Sequence, residues 1–221
     1  IRFGYHCNSS ADQPVLNDLC LNISDGEHIA VVGKTGCGKS SLVRLLNRGV
    51  EPLAGRVLLD GRSVQSFTEM TIYDAMTFIP QRTHVFSATL RDNLLLAAPT
   101  ADDKYLAEII EAVGLMNIAG NAYKSVSKLL DVWIGEAGLL LSGGEQCRLA
   151  VARALVKPAP ILVMDEPTEG LDHSSAHTLL TLVLNAFRES TVLMITHKKV
   201  MLENMDAVYR IQAGAIDKIA S

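Results

Sequence analysis

The chain has 221 residues, enough for one large domain with room for a subdomain. Its 20 basic and 24 acidic side chains leave a net charge of −4, so there is no basic excess to drive counterion release onto a nucleic acid, which argues against a dedicated nucleic-acid surface. The 48% apolar content suits a globular domain, no run of about 18 apolar residues occurs to cross a bilayer, and Cys7, Cys20, Cys37 and Cys147 form no C-x-x-C pair, which argues against a zinc or disulfide framework and for a reducing setting.

The chain opens at Ile1, within strand-like residues and without a signal peptide, and reads as a domain of a longer polypeptide. Two β-like stretches, Ile1–Cys7 and Val15–Ile23, flank a polar turn over Asn8–Gln13. A third strand, His28–Val32, leads into a glycine-rich loop and then a helix carrying Leu42, Val43, Leu45 and Leu46. Strands are expected at Gly55–Asp60 and Asp74–Pro80, the latter followed by Gln81. The apolar spacing of Leu106, Ile109, Ile110 and Val113 predicts a helix within Ala101–Gly114. From Arg82 to Leu155 the pattern is mostly helical, which predicts a helical subdomain inserted into an α/β core. Strand character returns at Ile161–Met164 and Val192–Thr196, with a helix over His173–Phe187 between them, a βαβ unit. Ala207–Gln212 and Ala215–Ile219 close the chain as strands around Ala213-Gly214.

Three stretches carry chemistry. The first, Gly33-Lys34-Thr35-Gly36-Cys37-Gly38-Lys39-Ser40, fits G-x-x-x-x-G-K-[ST] between a buried strand and a helix start. Its glycines let successive backbone N–H groups converge on one anion, and the helix adds its positive dipole end. Lys39 would reach the β- and γ-phosphates, and the Ser40 hydroxyl would ligate Mg²⁺. An ordinary glycine turn accounts for Gly36 and Gly38 but not for a Lys-Ser pair at that spot. The second is Ile161–Glu166, four apolar residues that deliver Asp165 and Glu166 at the C-terminal edge of a strand, where doubly wound sheets bind ligands. Asp165 would hold Mg²⁺, and Glu166 would orient or deprotonate an attacking water. The third is Leu141-Ser142-Gly143-Gly144-Glu145. Ser142 and Glu145 are explained by a capping box. The glycine pair is not, because it weakens a helix unless something must approach the backbone closely. This helix start reads as a second anion site, and two such sites would serve one nucleotide if two copies faced each other.

With these motifs in this order, the chain resembles the nucleotide-binding domain of an ABC-type ATPase, exporter type, over essentially its whole length. The resemblance implies an α/β fold: a P-loop NTPase (RecA-like) core with an N-terminal antiparallel β subdomain over about 1–81 and 157–221, and a helical subdomain over about 82–156. Gly33–Ser40 matches the Walker A motif, with Ser41 beside it, Ile161–Asp165 the Walker B motif, and Leu141–Glu145 the signature. The family's roles then fall on Tyr5 as the adenine-stacking aromatic, Gln81 as the Q-loop residue sensing Mg²⁺ and water, Asp172 in the D-loop, and His197 as the switch histidine. Glu166 would be the general base, and Ser142, Gly143 and Gly144 would meet the γ-phosphate of ATP held by the opposite domain. The implied partners are a transmembrane domain upstream in the same polypeptide and a second nucleotide-binding domain, identical or paralogous, in a head-to-tail dimer. The implied location is the cytoplasmic face of a bacterial inner membrane. Trp133–Gly138 resembles the exporter stretch that meets the coupling helices, whereas Glu169-Gly170 departs from the Ser-Ala of many exporters. A soluble ABC ATPase acting in DNA repair or translation is the alternative; it would usually carry a coiled-coil insertion or tandem domains, and neither is present. A GTPase would need N-K-x-D, which does not occur.

Overall fold

The structure is a computed structural model that describes residue 3 and residues 15–118, 120–122, 125–136, 138–198 and 202–220. In chain order the elements are β1 (His28–Val32), α1 (Lys39–Leu46), β2 (Leu58–Leu59), β3 (Arg62–Ser63), α2 (Glu69–Ala75), β4 (Met76–Ile79), β5 (Ala88–Thr89), α3 (Leu90–Leu95), α4 (Asp103–Ala112) and β6 (Asn117–Ile118). They continue with β7 (Asn121–Ala122), α5 (Val126–Leu130), β8 (Trp133–Ile134), α6 (Gly143–Val156), β9 (Ile161–Asp165), α7 (His173–Ala186), β10 (Thr191–Ile195), β11 (Ala207–Gln212) and β12 (Ala215–Ala220). The chain divides into two compact units. One comprises Ile1–Met76, Ala159–Asp165 and Glu189–Ser221, the other Thr77–Pro158 and Glu166–Arg188.

In the first unit five strands lie in the order β12-β11-β1-β10-β9. β11, β1, β10 and β9 run parallel, with Ala30 opposite both Met194 and Val208, and Met164 opposite Met194. Such strands are covered on both faces and so are apolar at every position rather than alternating. Ile29, Ala30 and Val31 of β1 and Leu162, Val163 and Met164 of β9 are buried, as are Val192 to Ile195 around β10. α1, whose Ser41, Leu42 and Leu45 are buried, packs on β9. β12 returns antiparallel to β11 through the turn at Ala213-Gly214, where both residues have positive φ.

The expected strand over Val15–Ile23 does not form. Leu16 makes only an antiparallel bridge to Phe3, Asn17 N–H donates to the Gly214 carbonyl at 2.9 Å, and Asp18 turns into the left-handed region at φ 52°. The segment is a wedge with Leu16 fully buried, not a ladder. Of the expected antiparallel subdomain, the described residues show this bridge and the short β2–β3 pair, to which Gly55–Asp60 contributes only Leu58-Leu59. The strand expected at Asp74 starts at Met76, because Thr68 accepts a hydrogen bond from Thr71 N–H and caps α2, which runs on to Ala75.

The second unit is helical around α6, which packs against α3, α4 and α7. Leu149, Ala150, Val151, Ala152, Ala154 and Leu155 are buried, so α6 is apolar nearly all round, as a central helix must be. Two-residue pairs β5–β8 and β6–β7 tie its loops.

Candidate active site

In the first unit, β1 ends at Val32 and α1 begins at Lys39, with the phosphate loop between them. Gly38 is the N-cap at φ 106°, no side chain caps the first turn, and no acidic residue stands in it. No side chain of the helix start therefore occupies the anion-binding end of α1. Two glycines are sterically required. A Cβ at Gly38 would sit 2.5 Å from Leu16 Cδ2, and one at Gly33 would sit 2.5 Å from Cys37 Sγ and 2.7 Å from the Ile211 carbonyl oxygen. Lys34, Thr35 and Gly36 are exposed, and a Cβ on Gly36 would meet nothing within 4 Å, so the outer side of the loop is open. Lys39 Nζ donates to the carbonyls of Gly33 at 2.8 Å and Lys34 at 3.1 Å, folding its charge over the loop. Ser40 is exposed and Ser41 buried on α1.

Asp165 ends β9 and is buried, level with Ile195 of β10. His197 is exposed just beyond β10, after Thr196, whose hydroxyl accepts from Lys198 N–H at 3.1 Å. Among the described residues no three His, Cys, Asp or Glu side chains form a metal cage. Mg²⁺ keeps several waters and takes one or two carboxylates plus substrate phosphates. A strand-end carboxylate (Asp165) and a helix-start hydroxyl (Ser40) are hard oxygen donors of the kind it takes. Tyr5 lies outside the described residues.

The second unit gathers Gln81, Gly143, Cys147, Glu166, Glu169 and Gly170 around a cavity of about 200 Å³. Glu166 is half-buried with φ 50°, in the left-handed region where a residue with a Cβ is strained. Its carbonyl accepts from Glu169 N–H at 3.1 Å, and the buried Thr168 accepts from Leu171 N–H at 3.3 Å, so the segment after β9 is a tight turn. Gly170, at φ 83°, lies against Gly143 and Gly144, where a Cβ on Gly144 would approach Leu171 Cδ2 to 3.0 Å. Cys147 is buried at this contact, its thiol donating to the Pro167 carbonyl at 2.7 Å.

Ser142 caps α6 with the expected capping box. Its Oγ accepts from Glu145 N–H at 3.3 Å and donates to Glu145 Oε2 at 2.7 Å, and Glu145 Oε2 also accepts from Ser142 N–H at 2.7 Å. Asp172 caps α7, accepting from the N–H groups of Ser174 and Ser175 at 3.0 Å each. Hydrogen bonds from the Ser175 side chain and backbone hold the Asp172 carboxyl below the usual carboxylate range. Sequence reasoning missed Asn93 and Arg153, which organise the chain after Gln81. The lone charge of Arg153 within the apolar run Val151–Leu155 is the signal the sequence holds, and it does not point to Asn93, whose burial in α3 only the structure reveals.

A buried parallel sheet, an uncapped glycine loop and a lysine at the helix start define a P-loop nucleotide-binding domain of the α/β class. The particular branch follows from comparison: the model of the ABC transporter family matches residues 16–169, and the chain belongs to that family as an ATPase domain. It is 44% identical over 204 residues to the glutathione/L-cysteine transport system ATP-binding/permease protein CydC of Escherichia coli (strain K12), covering 92% of this chain and 35% of that protein. It is 33% identical over 205 residues to the ATP-dependent lipid A-core flippase of Photobacterium profundum, covering 93% and 34%. A solved bacterial Atm1-family ABC exporter with ATP bound superposes with a TM-score of 0.89 at 28% identity, over all of this chain and 38% of the other. The chain thus spans about a third of the length of the curated relatives it matches. Among the described residues no helix is long and apolar enough to cross a membrane.

Proposed function

We propose that this domain is the motor of an ABC exporter: ATP draws two such domains into a head-to-tail dimer, hydrolysis releases them, and a fused transmembrane domain moves a small solute. The observation that carries the reading is the uncapped start of α1 with Lys39 folded over it, in a chain 44% identical to an ATP-binding/permease protein. Lys39 exchanges its two carbonyl partners for the β- and γ-phosphates, and the loop amides of residues 33–41 take the remaining oxygens. Tyr5 stacks on the adenine. Ser40, Asp165 and Gln81 are the residues to hold Mg²⁺, which when bound neutralises charge on the phosphates. Glu166 takes the proton of the attacking water, His197 holds the γ-phosphate, and Asp172 carries the signal between the two sites. Ser142, Gly143 and Gly144 meet the γ-phosphate of the nucleotide on the partner domain. Because Ser142 is the N-cap, its hydroxyl is already aimed along the first turn of α6.

The likeness to CydC supports cysteine or glutathione as the exported solute, in the service of cytochrome bd assembly, from a position on the cytoplasmic face of the bacterial inner membrane. A Glu166→Gln variant tests the motor. It should retain ATP and dimerise in Mg-ATP by sedimentation, whereas a variant that stays monomeric with ATP bound refutes the reading. Uptake of labelled glutathione into inverted vesicles carrying the full-length protein tests the solute, and uptake indifferent to ATP rejects it.

A further inference from the structure

Beyond Gln81 the chain runs without regular structure to β5, and irregular backbone of this kind needs partners for its N–H and C=O groups. Two side chains supply them. Asn93 of α3 is fully buried and uses its whole amide: Oδ1 accepts from Phe86 N–H at 3.0 Å and from Arg153 Nη2 at 2.7 Å, and Nδ2 donates to the carbonyls of Phe86 at 3.0 Å and Thr89 at 2.9 Å. Arg153 of α6 donates from Nη1 to the His84 carbonyl at 2.7 Å and from Nε to the Asn93 carbonyl at 2.9 Å. Its guanidinium lies 5.7 Å from the centre of the Phe86 ring, which His84 meets edge-on at 4.5 Å.

We propose that Arg153 and Asn93 are positioning residues for Gln81, clamping residues 84–89 to α6 so that the loop after Gln81 moves with the helix that begins at Ser142. The inference rests on the role given to Gln81 above. Two features favour it over a purely structural tie. First, the hydrogen-bond partners of Arg153 among the described residues are uncharged, an arrangement that costs desolvation without a compensating carboxylate; burial draws the guanidinium below its ordinary pKa. Secondly, the clamp spans the cavity's own elements. Gln81, Arg82 and Thr83 line it together with Gly143, Gln146 and Cys147 of α6. Arg153 stands about three helical turns beyond Ser142, so a rigid α6 fixes both ends of this arrangement.

The test uses the full-length transporter with its natural partner. Arg153→Met should lower the kcat of ATP hydrolysis between about 10- and 100-fold, the effect of a slightly misplaced reacting group, and leave KM for ATP within about twofold. Arg153→Lys, which keeps the charge but not the three-way fork, should recover part of the loss. In a Gln81→Ala background, Arg153→Met should lower kcat no further, because residues acting as one unit are non-additive. If Arg153→Met does not fold, Phe86→Leu replaces it. That ring is 46% exposed, and its loss should lower kcat about two- to fivefold, again only while Gln81 is present. Additive losses in kcat, or a change confined to KM, overturn the clamp while leaving the role of Gln81 intact. Wild-type kcat in Gln81→Ala alone overturns the role of Gln81, and the clamp with it.

Discussion

Ser142 caps α6 and is proposed to meet a γ-phosphate, and one substitution separates the two roles. Ser142→Ala removes the oxygen that accepts from Glu145 N–H at 3.3 Å and donates to Glu145 Oε2 at 2.7 Å, while the reciprocal bond from Ser142 N–H to Glu145 survives. Loss of such a cap costs about 1 kcal/mol. In a chain of this size that lowers Tm by about 2–4 °C. If the same hydroxyl donates to a γ-phosphate in the transition state, a charge-assisted bond of about 1.5–3 kcal/mol is lost as well. That corresponds to a fall in kcat of about 10- to 150-fold. Asp102→Ala is the matched control. Asp102 caps α4, accepting from Tyr105 N–H at 2.8 Å, and its loss should cost a similar Tm with hydrolysis within about twofold of wild type. Phosphate release and thermal unfolding are measured on both variants in the full-length protein. If hydrolysis falls equally in the two, in step with Tm, Ser142 is a cap and nothing more.

Asp172 makes the cap of α7 depend on pH. Its carboxyl titrates lower in the folded chain than unfolded, so the cap contributes fully above the unfolded pKa of about 3.9 and fades as pH falls through the lower folded value. The Tm gap between wild type and Asp172→Ala should therefore be constant near neutrality and close in that acid window; a gap unchanged by acid refutes the linkage. Gly33→Ala should weaken both the fold and ATP binding, since its Cβ would press on Cys37 Sγ and on the Ile211 carbonyl. Overpacking of this kind costs about 1–3 kcal/mol, and an unchanged denaturant midpoint without nucleotide would contradict it.

Local chemistry was readable in the residues where one short stretch decides the outcome. The apolar run ending at Val32, the helix start at Lys39 and the Ser142–Glu145 box each depend on neighbours within four positions, and each forms as the pattern implies. β9, α7, β10 and β11 match their expected bounds to within one residue for the same reason. The segment 15–23 misled because its pattern is strand-like while its partners are distant. The bridge to Phe3, the bond to Gly214 and the left-handed turn at Asp18 are tertiary events that no window reveals. α2 leaves no period in the sequence, because only Ile72 of its seven residues is buried. Asn93 and Arg153 are sixty positions apart, and nothing in either neighbourhood announces the other.

The backbone of Glu166 at φ 50° sets a trap for anyone who improves this protein by heat selection alone. Glycine or asparagine would rest there more easily than glutamate, by roughly 1–2 kcal/mol for glycine. The hardiest clones from such a screen should therefore be enriched in substitutions at the very position proposed for proton abstraction, and on that proposal they should hold ATP without cleaving it.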